Sequence, residues 1–174
     1  MSVLVVNCGS TSVKATVVNP TTGKHLVNLV VERLGTDQAN YRIGKDPAKP
    51  CPSECSDALA KCLPLLIDQV PKGDPITGVG HRVVHGGVEF TRPTLLDDDV
   101  VQSLRGTFAL APLHNPANVN GIESARQLLS DVPHAAVFDT AFHNTISRRA
   151  YTYCLLYTSP SPRDQRGSRM PSSA

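Results

Sequence analysis

Apolar residues fall first in short valine-rich runs and only later at helical spacing. Val3-Leu4-Val5-Val6 is too short for a helix and predicts a buried strand, stopped by Asn7-Cys8-Gly9-Ser10-Thr11-Ser12. Val13 to Val18 forms a second strand, followed by the turn residues Asn19-Pro20-Thr21-Thr22-Gly23. A third run covers residues 25–34. Strands joined by such short turns pair antiparallel, which predicts a three-stranded meander.

The pattern then changes. Residues 35–52 hold Asp37, Asn40, Gly44 and three prolines, and predict a loop with an exposed short strand. Ser53 is placed to cap a helix running to about Gln69, with Ala58, Leu59, Cys62, Leu66 and Ile67 along one side and a kink or break expected at Pro64. Residues 76–84 return to strand and lead into His85-Gly86-Gly87. Asp97 caps a short helix bearing Val100, Val101 and Leu104. Asn115 before Pro116 opens another, with Ile122, Ala125, Leu128 and Leu129 at helical spacing. His134 to Phe138 is a last strand, ending on Asp139. A meander followed by alternating strands and helices indicates an α/β fold with a mixed sheet. No internal repeat is present.

Composition narrows the function classes. The 174 residues carry a formal charge of +2, and residues 1–154 balance at 14 basic against 14 acidic. A neutral body argues against nucleic-acid binding. No apolar run approaches the ~18 residues of a membrane span, and the N-terminus lacks the features of a signal peptide, so a cytoplasmic protein is expected. The five cysteines, Cys8, Cys51, Cys55, Cys62 and Cys154, form no CxxC pair and show no zinc spacing. They are expected to be free structural thiols. Residues 159–174 hold five serines, three prolines and three arginines, with Met170 the only large aliphatic residue. Such a stretch is expected to be disordered.

Four clusters could carry chemistry. In the Asn7–Ser12 turn, Gly9 and the hydroxyls of Ser10, Thr11 and Ser12 can turn donors toward phosphate oxygens, with Lys14 adding charge and Asn7 able to hold a metal-bound water. An ordinary hairpin turn is the alternative. Arg82 lies between His81 and His85 with Gly86-Gly87 following; its fork suits a carboxylate or phosphate, or a surface carboxylate with the glycines making a hairpin. His114 precedes a helix N-terminus, where a bound anion or a neutral histidine is favoured; a satisfied structural histidine is the alternative. Asp139 sits at the C-terminal end of a buried strand, where α/β folds place ligands. It can organise Mg²⁺, act as a base, or simply form a turn.

Together the strings VLVVNCGSTSVK, GHRVVHGG, PLHNP and FDTAFH, in this order and spacing, closely resemble the acetokinase family. That family sits within the superfamily of acetate and sugar kinases, heat-shock ATPases and actin. The resemblance runs from Val3 to about Tyr153. It implies a ribonuclease H-like, actin-type ATPase domain over residues 1–153, with a mixed sheet that opens in a meander and has flanking helices. It implies phosphoryl transfer between ATP and acetate, giving acetyl phosphate and ADP with Mg²⁺, in a cytoplasmic enzyme whose full-length form is a homodimer. Asn7 then lies at the metal, and Lys14, Ser10 and Ser12 on the ATP phosphates. Arg82 holds the carboxylate, Val84 and Leu113 line the methyl pocket, and His114 contacts the transferring phosphoryl group. Asp139 is the proton acceptor or the organiser of the metal. A carboxylate nucleophile is already ionised at pH 7, which favours the latter.

The resemblance also implies missing parts. Family chains are more than twice as long. Their second half carries the adenosine pocket, an HGTSH histidine, a transition-state arginine and a metal-linked glutamate, with no matching positions here. Residues 154–174 resemble read-through sequence, so the expectation is an N-terminal domain with a foreign tail, inactive alone. A propionate or butyrate kinase, and a non-catalytic domain binding phosphate or a partner, are the alternatives.

Overall fold

The computed structural model describes residues 1–141 together with 146, 147 and 150. The expected disorder of residues 159–174, Cys154, and the end of the FDTAFH string lie outside the described residues. The chain divides into Met1–Asn144 and Thr145–Ala174, and the first of these carries the architecture that follows.

One eight-stranded sheet organises it, built from β1 (Ser2–Cys8), β2 (Ser12–Val18), β3 (His25–Glu32), β4 (Asn40–Ile43), β5 (Lys49–Pro50), β6 (Ile76–Val83), β7 (Thr94–Leu95) and β8 (His134–Phe138). Their order across the sheet is β5-β4-β3-β2-β1-β6-β8-β7. The strands from β1 to β5 pair antiparallel in succession, while β6 joins β1 and β8 joins β6 in parallel. The mixed sheet is as expected, and the meander is longer. Residues 35–52 contribute two strands rather than a loop with an exposed strand. Tyr41 and Ile43 are buried because β4 continues the β3 edge and turns them to the core. Strand β7 is two residues long and has no periodicity to betray it.

Alternation decides the layering. Leu4, Val6 and Cys8 on β1, Val13, Ala15 and Val17 on β2, and Leu29 and Val31 on β3 are buried on one face. Helix α1 (Cys55–Ile67) brings Leu59, Cys62, Leu63 and Leu66 onto that face. A second apolar cluster joins Val83, Ala136 and Phe138 to α2 (Asp98–Arg105) and α3 (Asn115–Leu128). All three helices therefore cover the same side of the sheet.

The helix ends differ in part from the sequence expectation. Asp97 caps α2 as predicted, accepting from the Val100 N–H at 2.8 Å. Ser53 does not cap α1; its carbonyl accepts from the Gly35 N–H, and Glu54 stands at the cap position with no side-chain bond. Helix α1 ends at Ile67 and runs through Pro64 without interruption. The proline removes the donor for the Ala60 carbonyl, but Ala60 is exposed and water can satisfy it, while the buried Leu63 and Leu66 hold the last turn. Leu128, expected on the apolar side of α3, is instead 39% exposed at the helix end.

Candidate functional site

Register brings the candidate residues into one row. Asn7 pairs with Lys14 across β1 and β2. Val6 pairs with His81 across β1 and β6, so Asn7 and Arg82 are also neighbours. Residues 6 and 81 point to the helices, and 7, 14 and 82 therefore point to the opposite face. Asp139 follows the last residue of β8, beside Arg82. A cavity of about 270 Å³ opens over this row, lined by Asn7, Ser10, Ser12, Lys14, Arg82 and His114. The Asn7–Ser12 turn closes on itself through the Gly9 N–H, which donates to the Ser12 carbonyl at 2.8 Å.

Arg82 is the hub. Its Nε donates to Asp139 Oδ1 at 3.0 Å and its Nη2 to Oδ2 at 2.6 Å, while Nη1 donates to Asn7 Oδ1 at 3.2 Å. The bidentate bond to Asp139 holds the guanidinium pKa above its ordinary value. Asp139 thus enters the site through Arg82. Its carboxylate and the Asn7 amide oxygen form a pair of hard oxygen donors beside the Asn7–Ser12 turn, a set that fits Mg²⁺ completed by water.

Two asparagines that the sequence reading did not assign hold this arrangement. Asn115 and Asn118 lie on the buried side of α3. Asn118 accepts from the Val84 N–H at 3.1 Å and donates to the Cys8 carbonyl at 2.5 Å, which ties the ends of β6 and β1 together. Asn115 accepts from the His85 N–H, and donates to the His85 carbonyl at 2.8 Å and to Thr107 Oγ1. Their signal in the sequence was polarity on an otherwise apolar helix face. The residues carrying Asn7 and Arg82 are therefore held by buried amides.

Other candidates lie elsewhere. His81 is buried on the helix side, 3.0 Å from His134. His85 Nδ1 accepts from the Gly87 N–H at 2.9 Å. Gly86 is required by packing, since a side chain there would strike the Phe90 carbonyl and the Phe138 ring, and Gly87 by its φ of 64°. Val84 is half-buried and Leu113 is 74% exposed; neither lines the cavity.

Comparison with known proteins bears on this geometry. Residues 2–162 match the model of the acetokinase family. The chain is 45% identical over 158 residues to an acetate kinase of Pseudomonas aeruginosa, covering 88% of this chain and 40% of that protein. It is 43% identical over 166 residues to an acetate kinase of Treponema denticola, covering 90% and 42%. Among solved structures, a propionate kinase from Francisella tularensis superposes with a TM-score of 0.79 at 34% identity, over 90% of this chain and 41% of that one. An acetate kinase from Porphyromonas gingivalis gives 0.76 at 32% identity over the same shares. The fold is that of these kinases, and the chain spans about 40% of the length of the curated relatives it matches.

Proposed function

Because the chain belongs to the acetokinase family, we propose that it forms the acyl-binding side and part of the phosphate-binding side of an acetate kinase, which transfers a phosphoryl group reversibly from ATP to acetate. The observation that carries this reading is the convergence of Asn7, Ser10, Ser12, Lys14, Arg82 and His114 on one cavity, with Asp139 gripped by Arg82. Phosphoryl transfer needs in-line positioning and charge neutralisation more than covalent help. Arg82 holds the substrate carboxylate in the fork that now holds Asp139. Lys14 and the hydroxyls of Ser10 and Ser12 neutralise and orient phosphate oxygens. His114, at the mouth of α3, donates to the transferring group. The attacking acetate oxygen is ionised at neutral pH, so Asp139 is not required as a base.

Asn7 and Asp139 are the residues that would hold Mg²⁺, which supplies charge neutralisation between phosphates when bound. Asp139 leaves Arg82 as the substrate carboxylate arrives. The full-length enzyme is a cytoplasmic homodimer in this reading. A propionate kinase is the second reading, favoured by the likeness to the Francisella protein.

Arg82→Ala tests the assignment. A charge-assisted contact of this kind contributes about 1.5–3 kcal/mol. Acetyl phosphate titrated into isotopically labelled protein should shift the amides of residues 9–12 and 82–84, and the variant should bind roughly 10- to 100-fold more weakly. Equal binding by the variant would remove Arg82 from the site. Titration with acetate, propionate and butyrate in parallel separates the two readings.

A further inference from the structure

Four described cysteines are free, and they lie as two pairs. The Sγ atoms of Cys8 and Cys55 are 3.2 Å apart, joining the last residue of β1 to the first residue of α1. Cys62 hydrogen-bonds to Cys51 nearby. The pairs differ in chemistry. Burial raises the thiol pKa of both Cys51 and Cys62, the latter to about 11. Cys55 is the described cysteine whose pKa is lowered, chiefly by its bond with Cys8 and against burial and the neighbouring Glu54, and its place at a helix N-terminus also favours the thiolate. Cys55 is half-buried, whereas Cys8 is 2% exposed.

The packing also holds Cys8 toward its partner. Helix α3 crosses β1 so closely that a Cβ added at Gly121 would stand 2.6 Å from Cys8 Cβ and 3.0 Å from its sulfur. Asn118 fixes the Cys8 carbonyl from the same helix. The sulfurs need to close by only about 1.2 Å to reach bonding distance.

We propose that Cys8 and Cys55 are a peroxide-reactive dithiol site, with Cys55 as the attacking thiolate and Cys8 as the resolving thiol. The Cys55 thiolate attacks one oxygen of hydrogen peroxide; the O–O bond breaks, Cys55 becomes a sulfenic acid, and the leaving hydroxide departs as water after taking a proton. The Cys8 sulfur then displaces the sulfenic oxygen as a second water. Two thiols lose two electrons and two protons, and one peroxide becomes two waters. The new bond ties β1 to α1 one residue from Asn7, at the root of the phosphate-binding turn.

The test treats the intact 174-residue chain with hydrogen peroxide and digests it with trypsin and a glutamyl protease without reduction. Cleavage after Glu54 and Lys61 separates Cys55 from Cys51 and Cys62. Peptide 1–14 linked to peptide 55–61, and released by dithiothreitol, is the expected product. Dimedone should label Cys55 in Cys8→Ala, and leave Cys8 unlabelled in Cys55→Ser. Should Cys8→Ala fold poorly, peroxide and dimedone applied together to the wild type read the same sulfur. Absence of that linked peptide, linkage through Cys51 or Cys62 instead, or dimedone capture on Cys8 would overturn the proposal.

Discussion

The Arg82 guanidinium directs Nε and Nη2 at Asp139 and Nη1 at Asn7. Arg82 and Asp139 are 48% and 43% exposed, and an ion pair so open to water stabilises a fold by about 0–1 kcal/mol at most. In our reading the pair holds Arg82 in place for a ligand more than it holds the fold together. Asp139→Asn should therefore leave the melting temperature nearly unchanged, while carboxylate binding tightens because the fork is no longer blocked by a charge; a thermal melt checks the first part and calorimetric titration with acetate the second. The buried His81 and His134 behave in the opposite way. The Leu129 carbonyl accepts from His134 Nε2 at 3.0 Å, so His134 Nδ1 accepts from His81 Nε2, and both rings are neutral. Burial pulls the His81 pKa down to about 3, with His134 and Arg126 adding repulsion, and burial lowers His134 too. The unfolded chain binds these protons near pH 6.5 and the folded chain does not, so stability rises with pH in this range. Full stability holds above about pH 6.5 and falls progressively as pH drops toward 3. Urea midpoints should decline between pH 7 and 4.5 in the wild type, and change less when both histidines are replaced by Gln.

At the scale of elements, α3 does most to shape the site. Gly121 admits β1, and Asn115 and Asn118 fasten the ends of β6 and β1. Gly121→Ala gains about 1 kcal/mol of helix propensity but forces a methyl group against Cys8, and overpacking of this kind costs about 1–3 kcal/mol. A lower melting temperature is expected, and an unchanged or higher one would show that α3 can move away. Asn118→Ala leaves the Val84 N–H and the Cys8 carbonyl without their partner, at about 1–3 kcal/mol for each group left buried and unpaired. Denaturant titration should show that loss. The sequence disclosed β1, β2, β6 and β8 because valine-rich runs between turn residues have few alternatives. It did not disclose the burial of β4, which depends on the neighbouring β3 edge, or the passage of α1 through Pro64, which depends on exposure of Ala60. Asn7, Lys14 and Arg82 were legible as polar residues in or beside strands. That they form one row depends on register between segments 75 residues apart, as for Asn7 and Arg82. The Cys8–Cys55 approach across 47 residues left no local signal.

At the scale of the whole molecule, α1, α2 and α3 cover one sheet face, while Lys14, Asn7 and Arg82 lie on the other beside the half-exposed Val5 and Val137. The relatives are more than twice as long, since 88% of this chain matches 40% of the Pseudomonas protein. In our reading, the nucleotide's base and ribose bind in that further length. Holding both reactants in place is worth about 7–11 kcal/mol in such reactions, so the 174 residues alone should give no measurable acetyl phosphate. Hydroxylamine trapping with ATP, Mg²⁺ and acetate checks this, and turnover near that of a full-length acetate kinase would contradict it. The grip of Asp139 on Arg82 has a consequence for which anions this face admits. A tethered carboxylate acts as an internal competitor at an effective concentration on the order of millimolar. Chloride offers one point of contact and cannot match a two-oxygen fork, so it leaves the pair closed. An incoming molecule prevails when it brings its own planar carboxylate and gives the displaced Asp139 a new positive partner. In our reading the ion pair therefore acts as a selectivity filter: the guanidinium yields to a planar carboxylate and stays shut to the simple salts around it.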